Sequence, residues 1–149
     1  MKRGENVNKK LLLLSLIGIV PFMTACGNSR TMKCTKEDDG FTTGYVFTFD
    51  KEDKLEKISL TETVDFTKVD FNNLNCSSAD DCLKSKDKFL KNCTSNKNYE
   101  NCKIDTNKDS MTLTADYTED KLDKEKTYKK GMTKEDIKKE AEDSNFTCK

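Results

Sequence analysis

The chain has 149 residues, the size of one domain, and its 27 basic and 27 acidic side chains balance to a net charge of zero. The absence of a basic excess argues against a nucleic-acid-binding protein, and the absence of histidine excludes the common hydrolase triads and histidine-ligated metal sites. Hydrophobic residues make up 34% of the chain and charged residues 36%, so we expect a small core that benefits from cross-links.

The N-terminus has the three parts of a secretory signal peptide. Basic residues precede an apolar run over residues 11–23, and the small residues Thr24 and Ala25 follow it. As a helix the apolar run spans about 20 Å, shorter than the ~30 Å hydrocarbon core of a bilayer. Residues 1–25 are therefore predicted to be removed. They hold four basic residues and one acidic residue, so the mature chain has a net charge of −3.

Cys26 directly follows the predicted cleavage site. The sequence Met23-Thr24-Ala25-Cys26 resembles the lipobox of bacterial lipoproteins, which implies that the Cys26 thiol carries a diacylglyceryl group. Two acyl chains anchor a protein stably, so we expect a lipid anchor at the extracytoplasmic face of the cell membrane. Residues 26–32 then form the lipidated N-terminus and a short tether. The alternative is an ordinary signal peptide, with Cys26 as one more disulfide cysteine.

Three strands are predicted in the first half of the mature chain. A strand over residues 31–36 precedes the turn 37–40, and the aromatic residues Tyr45, Phe47 and Phe49 then alternate along a second strand. We expect these aromatic side chains to be core rather than the lining of a ligand groove.

A charged turn at residues 50–54 leads to the third strand, residues 58–66. Its apolar residues occupy alternate positions and so share one parity, the even-numbered one. Glu62 is the one acid on that parity. It is either a site residue or, as we favour, an edge charge that opposes aggregation.

One helix is predicted from Ser78 to about residue 94, with the Ser78 side chain as its N-cap. Strands follow at residues 101–106 and 111–117, and residues 119–130 are predicted to be a loop with a helical turn around Leu122. Thr133 caps a final helix, and residues 146–149 form an extended tail.

Residues 33–149 are therefore predicted to be a single α+β domain. Its antiparallel sheet has about five strands in the order β-β-β-α-β-β-α, with the helices packed on one face.

Six cysteines remain when Cys26 is set aside, and an even number in an exported domain indicates disulfides rather than buried free thiols. The spacing of these cysteines is not that of a zinc or redox motif. We pair Cys34 with Cys148, which fastens the C-terminal tail. Cys82 and Cys93 lie too far apart on one helix to pair with each other. This leaves Cys76–Cys82 with Cys93–Cys102, which we favour because both links are local, or Cys76–Cys93 with Cys82–Cys102.

The sequence offers no catalytic residues, no metal ligands and no cofactor motif. The spacing Asp116-x-Thr118-x-Asp120 is a weak match to a calcium loop, and the glycine and the glutamate that such loops need are missing. We therefore expect a non-enzymatic binding or scaffolding domain that is held at the membrane by its lipid. We expect its partner to be an envelope protein. The alternatives are a carrier of a small apolar ligand and an envelope enzyme that uses carboxylates.

The mature chain also resembles the YehR-like small lipoproteins, a bacterial family without an established role. The resemblance rests on Cys26, on the segment Met32-Lys33-Cys34-Thr35-Lys36 and on the closing sequence Asn145-Phe146-Thr147-Cys148-Lys149. It implies an α+β fold with an antiparallel sheet, and it supplies no catalytic residues. The four cysteines between residues 76 and 102 depart from the family pattern.

Overall fold

Strands with alternating apolar residues build the sheet on which the rest of the domain packs. The computed structural model describes residues 30–149, so the predicted signal peptide and Cys26 lie outside the described residues. The strands are β1 (Arg30–Asp38), β2 (Phe41–Phe49), β3 (Leu55–Asp65), β4 (Tyr99–Thr106), β5 (Ser110–Tyr117) and β6 (Thr147–Cys148). They form one sheet in the order β4-β5-β3-β2-β1-β6, and every pairing is antiparallel.

The described region also contains four α-helices, namely α1 (Ala79–Lys84), α2 (Lys86–Thr94), α3 (Glu119–Lys124) and α4 (Lys134–Asp143). The α+β class is therefore as predicted, but the number and order of elements differ. The sheet has six strands instead of about five, because Cys148 and Thr147 pair with Cys34 and Thr35 of β1. Residues 30–149 contain four α-helices where two were predicted.

The predicted single helix after Ser78 is divided at Ser85. Ser78 caps α1 as expected, since its side chain accepts a hydrogen bond from the backbone N–H of Asp81. Ser85 has φ −88° and ψ 1°, and its N–H contacts the carbonyls of both Asp81 and Cys82. Serine is a weaker helix former than alanine or leucine, and the ψ of Ser85 interrupts the regular helix at this residue.

Two further boundaries differ from the sequence prediction. Residues 30–32, assigned to the tether, belong to β1, and Met32 is buried in the core. Residues 119–124, predicted to be a loop with a helical turn around Leu122, form α3, because the Thr118 side chain accepts from the N–H of Lys121 and caps the helix. Thr133 caps α4 in the same way, as predicted, through the N–H of Asp136.

The two faces of the sheet have opposite character because side chains alternate along each strand. One face carries the apolar side chains and all of the core. The other face is rich in half-buried threonines, among them Thr42, Thr48, Thr61, Thr63, Thr112 and Thr114.

Two separate hydrophobic clusters cover the apolar face, one toward each end of the long strands. The first cluster joins the sheet to α3, α4 and the segment between them, and its buried members include Met32, Phe47, Ile58, Leu122, Tyr128 and Ile137. The second joins the sheet to α1 and to the segment that precedes it, and its buried members are Phe66, Val69, Cys76, Cys82 and Met111. The helices and loops therefore cover the sheet in two parts.

Three disulfides cross-link the domain, and they are the pairs that were favoured from the sequence. Cys34 joins Cys148, Cys76 joins Cys82 and Cys93 joins Cys102, with Cα–Cα distances of 4.0, 5.1 and 6.1 Å. The first holds β6 on β1, the second holds the start of α1, and the third ties α2 to β4. The alternative pairing of the four middle cysteines is not observed.

Candidate functional site

An exposed carboxylate interrupts the apolar face of the sheet. Glu62 lies on β3, whose neighbours β2 and β5 pair with it on both sides, yet its side chain is exposed. The interpretation of Glu62 as an edge charge is therefore wrong, because β3 is an internal strand. A carboxylate in the middle of the core-bearing face stays exposed only if nothing packs over it.

Glu62 belongs to a row of residues that runs across the strands. Its direct neighbours are Thr43 on β2 and Leu113 on β5, and Thr43 is in turn paired with Lys36 on β1. We call this row, Lys36–Thr43–Glu62–Leu113, the open strip. Lys36, Thr43 and Leu113 are half-buried, and Leu113 belongs to neither hydrophobic cluster.

The open strip separates the two clusters. On one side, the next row contains Leu60, which is buried together with its neighbour Ala115. On the other side, the next row contains Val64 and Met111, which pack in the second cluster. Leu60 and Val64 are four residues apart, so their Cα atoms are about 13 Å apart at 3.3 Å per residue. The open strip is the single row of side chains between them.

All four tyrosines of the chain lie along the side of the strip that faces the first cluster. The ring of Tyr45 is 5.7 Å from that of Tyr128 and 5.4 Å from that of Phe146. Tyr99 and Tyr117 face each other across β4 and β5 with their centroids 5.7 Å apart. The sequence assigned Tyr45 to the core, and the structure places it at the boundary between the core and the strip.

Three of these phenols, those of Tyr45, Tyr117 and Tyr128, have a raised pKa, and burial is the largest cause in each. It raises the pKa of Tyr45, and the nearby Glu62 carboxylate raises it further, while the Tyr117 hydroxyl acts in the opposite direction. Burial also raises the pKa of Tyr117, with the adjacent Tyr45 as the next cause. Tyr45, in the row next to the strip, therefore offers a neutral hydroxyl group, which both donates and accepts hydrogen bonds.

A charged pair at the C-terminal end of α3 stands beside Tyr117. Lys121 forms a 2.8 Å ion pair with Glu125, and its Nζ lies 5.5 Å from the centre of the Tyr117 ring. Burial raises the pKa of Glu125, but hydrogen bonds from Lys121 and from backbone N–H groups outweigh it, so the pKa is lowered. The negative charge of Glu125 is thus balanced by the ammonium group of Lys121. Glu62 takes part in no ion pair within residues 30–149, and neither does Lys36.

A depression lies at the β1–β2 turn and has a volume of about 410 Å³. It is wide open and lined by acidic residues, including Glu37, Asp38, Asp39 and Asp65. In the part of the chain that the structure describes, no group of three acidic or cysteine side chains has an arrangement that would hold a metal ion. The open strip is therefore the better candidate for a functional site.

The weak calcium-loop match does not form a loop. Asp116 lies on the threonine-rich face, where its carboxylate contacts Lys57 at 2.7 Å and accepts hydrogen bonds from Ser59 and Asn101. Thr118, which the spacing treats as a second ligand, is the N-cap of α3. The side chains of this segment are already used in holding the fold together.

Sequence reasoning identified part of this site. It singled out Glu62 and Tyr45, and it did not single out Lys36, Tyr99, Tyr117, Lys121 or Glu125. The strand parity of residues 111–117 would have placed Tyr117 on the apolar face, but the pairing of β3 with both β2 and β5 was needed to bring it near Tyr45. The disulfide cysteines are structural, and Cys26 lies outside the described residues.

Among residues 30–149, no helix has the length and apolar character needed to cross a membrane. No family model matches the chain, and no significant similarity to a curated protein or to a solved structure is found.

Proposed function

We propose that this chain is a bacterial lipoprotein of the YehR-like type that is anchored through Cys26 at the extracytoplasmic face of the cell membrane. We further propose that its domain is non-enzymatic and binds a ligand or an envelope protein through the open strip. The observation that carries the binding role is the exposure of Glu62 on the core-bearing face of the sheet.

The cysteines support the location. All six cysteines of residues 30–149 are paired in disulfides, and disulfides persist in oxidising compartments outside the cytoplasm. These six cysteines pair with one another. Their pairing supports the lipid attachment proposed for the seventh cysteine, which directly follows the predicted signal peptide. The net charge of −3 on the mature chain supports a role without nucleic acid.

The carboxylates favour binding over catalysis. An enzyme with a carboxylate pair needs one carboxyl group whose pKa is raised, so that it holds a proton near neutral pH. In the described region, each carboxyl group with a shifted pKa has it lowered, namely Asp65, Asp81, Asp116, Glu119 and Glu125. A carrier of apolar ligands needs an enclosed apolar cavity, whereas the open strip contains a lysine and a glutamate.

The anchor is tested by feeding labelled palmitate to the producing bacterium. We expect label on the membrane-bound protein and none on a Cys26→Ala variant, which lacks the acceptor thiol. An unlabelled wild-type product, or a leader that remains attached, contradicts the anchoring proposal.

The binding role is tested with two neighbouring substitutions on β5. Leu113→Arg places a bulky side chain in the open strip beside Glu62, whereas Thr112→Arg places the same side chain on the opposite face beside Asp105. Each protein is purified from its own membranes, and species that remain bound are measured by native mass spectrometry. We expect the wild type and Thr112→Arg to retain the same species and Leu113→Arg to lose it. Equal retention by all three proteins contradicts a role for the strip.

A further inference from the structure

We infer that the open strip binds a linear zwitterion, with an ammonium group at Glu62 and a carboxylate group at Lys36. This inference rests on the proposed binding role of the strip and names the chemistry of its ligand. The two charged residues lie in one cross-strand row, separated by Thr43 on the intervening strand.

The charges of the strip are opposite, separate and uncompensated within the described region. Neighbouring strands are about 4.8 Å apart, so the backbones of Lys36 and Glu62 are separated by about 10 Å. Neither side chain forms an ion pair with the other or with another described residue. A ligand with only one charge would leave one of these groups without a partner, whereas a zwitterion of matching length satisfies both.

The surroundings suit the uncharged middle of such a ligand. Thr43 lies between the two charged residues, and Tyr45 is on the same strand and face, one row away. Both are half-buried, so a methylene chain over Thr43 would contact the aromatic ring of Tyr45 and lose exposed apolar surface.

The domain already contains one example of the proposed arrangement at the ammonium end. Lys121 is held by the Glu125 carboxylate while its Nζ lies 5.5 Å from the centre of the Tyr117 ring. A carboxylate beside a tyrosine thus holds an ammonium group on this face of the sheet. Glu62 lies close enough to Tyr45 to raise its pKa and offers the same pair of groups without an internal cation.

The test compares three linear probes of similar length on the full mature lipoprotein in a non-ionic detergent. The probes are 6-aminohexanoate with both charges, hexylammonium without the carboxylate, and hexanoate without the ammonium group. Binding is followed by intrinsic tyrosine fluorescence, because the chain has no tryptophan and Tyr45 lies in the row next to the strip. We expect 6-aminohexanoate to bind at least about tenfold more tightly than either singly charged probe.

Two variants assign the ends of the ligand. Glu62→Gln should reduce the affinity for 6-aminohexanoate to that for hexanoate, and Lys36→Gln should reduce it to that for hexylammonium. Lys51→Gln and Glu52→Gln, at exposed positions of the β2–β3 turn, should leave all affinities unchanged.

Equal affinity of the wild type for the three probes, or no fluorescence change with any of them, overturns the inference. So does a preference for 6-aminohexanoate that persists in Glu62→Gln and Lys36→Gln. These results leave the binding role itself intact if Leu113→Arg still loses the species that the wild type retains. Failure of the Leu113→Arg experiment removes the binding role instead.

Discussion

Cys34 and Cys148 lie directly opposite each other on β1 and β6, with their Cα atoms 4.0 Å apart although 114 positions separate them in the chain. Backbone hydrogen bonds between Lys33 and Lys149 flank the disulfide on the same pair of strands. The C-terminus is therefore held by one covalent link and a short ladder. Nearly the whole domain lies within the loop that this disulfide closes.

We predict that the long-range disulfide contributes more stability than a local one. In the chain-entropy model, a loop of more than 100 residues gives about 5 kcal/mol and a loop of seven residues about 2.5 kcal/mol. Unfolding by urea should show that the double variant Cys34→Ala, Cys148→Ala loses about 2 kcal/mol more than Cys76→Ala, Cys82→Ala. Cys34 and Cys82 are both fully buried, so the cavities that the two variants create are comparable. Equal losses would mean that loop length does not govern the effect.

Gly40 is predicted to be far less tolerant of alanine than Gly131. Both have positive φ, +86° and +83°, so each alanine variant incurs the strain of the left-handed region, about 1–2 kcal/mol. A Cβ on Gly40 would also lie 2.6 Å from the backbone nitrogen of Val69, whereas a Cβ on Gly131 meets nothing within 4 Å. We expect Gly40→Ala to lose at least about 1 kcal/mol more than Gly131→Ala in thermal or urea unfolding. Similar losses would show that Val69 moves aside freely.

Asp116 should make the domain sensitive to acid. Burial raises its pKa, but Lys57, Ser59 and Asn101 outweigh this, and the net pKa is lowered. A carboxyl group whose pKa is lower in the folded state contributes stability above its unfolded value near 3.9, and this stability disappears as the pH falls through the folded value. We expect Asp116→Asn to be less stable than the wild type by about 1–2 kcal/mol at pH 7.

The difference between the wild type and Asp116→Asn should shrink toward zero as the pH falls below 4, as measured by urea unfolding across that range. Asp105→Asn, at an exposed position of β4, serves as the control and should behave like the wild type. A difference that is constant with pH would assign the effect to packing rather than to charge.

Ionisation of the Tyr128 phenol should destabilise the fold under alkaline conditions. Burial, followed by the neighbouring Tyr45, raises its pKa to about 12, above the value near 10 of an unfolded chain. Its contribution is therefore complete below pH 10 and is lost as the pH rises toward 12. Phenolate absorbance should rise at higher pH in the folded protein than in the protein unfolded by guanidinium. Tyr128→Phe keeps the ring and should lose less stability than the wild type between pH 10 and 12; the opposite order would refute the assignment.

The sequence predicted the strands well because their apolar residues alternate over several positions. Tyr45, Phe47, Ile58 and Leu60 all lie on the face to which their parity assigned them. Strand order was less accessible, because the insertion of β3 between β2 and β5 depends on contacts between distant segments. For that reason Glu62 was placed on an edge, and its position in the middle of the sheet was missed.

For the helices, the N-caps were predicted from the sequence, whereas the division of one helix and the formation of another were not. Ser78 and Thr133 were identified as caps because capping depends on side chains within three residues. The division at Ser85 and the formation of α3 depend on how the segments meet the sheet. Leu122, predicted to lie in a short turn, anchors α3 in the first cluster, and this packing stabilises a helix that would be too short to form alone.

The outer strands of the sheet are poorly suited to pair with a strand of another molecule. At one edge, β4 is interrupted by a bulge between Glu100 and Lys103, where Asn101 has a positive φ of 55° and Cys102 is tied to α2. At the other edge, the two residues of β6 cover the middle of β1. Edge-to-edge pairing of copies into one continuous sheet is thereby opposed at both outer strands.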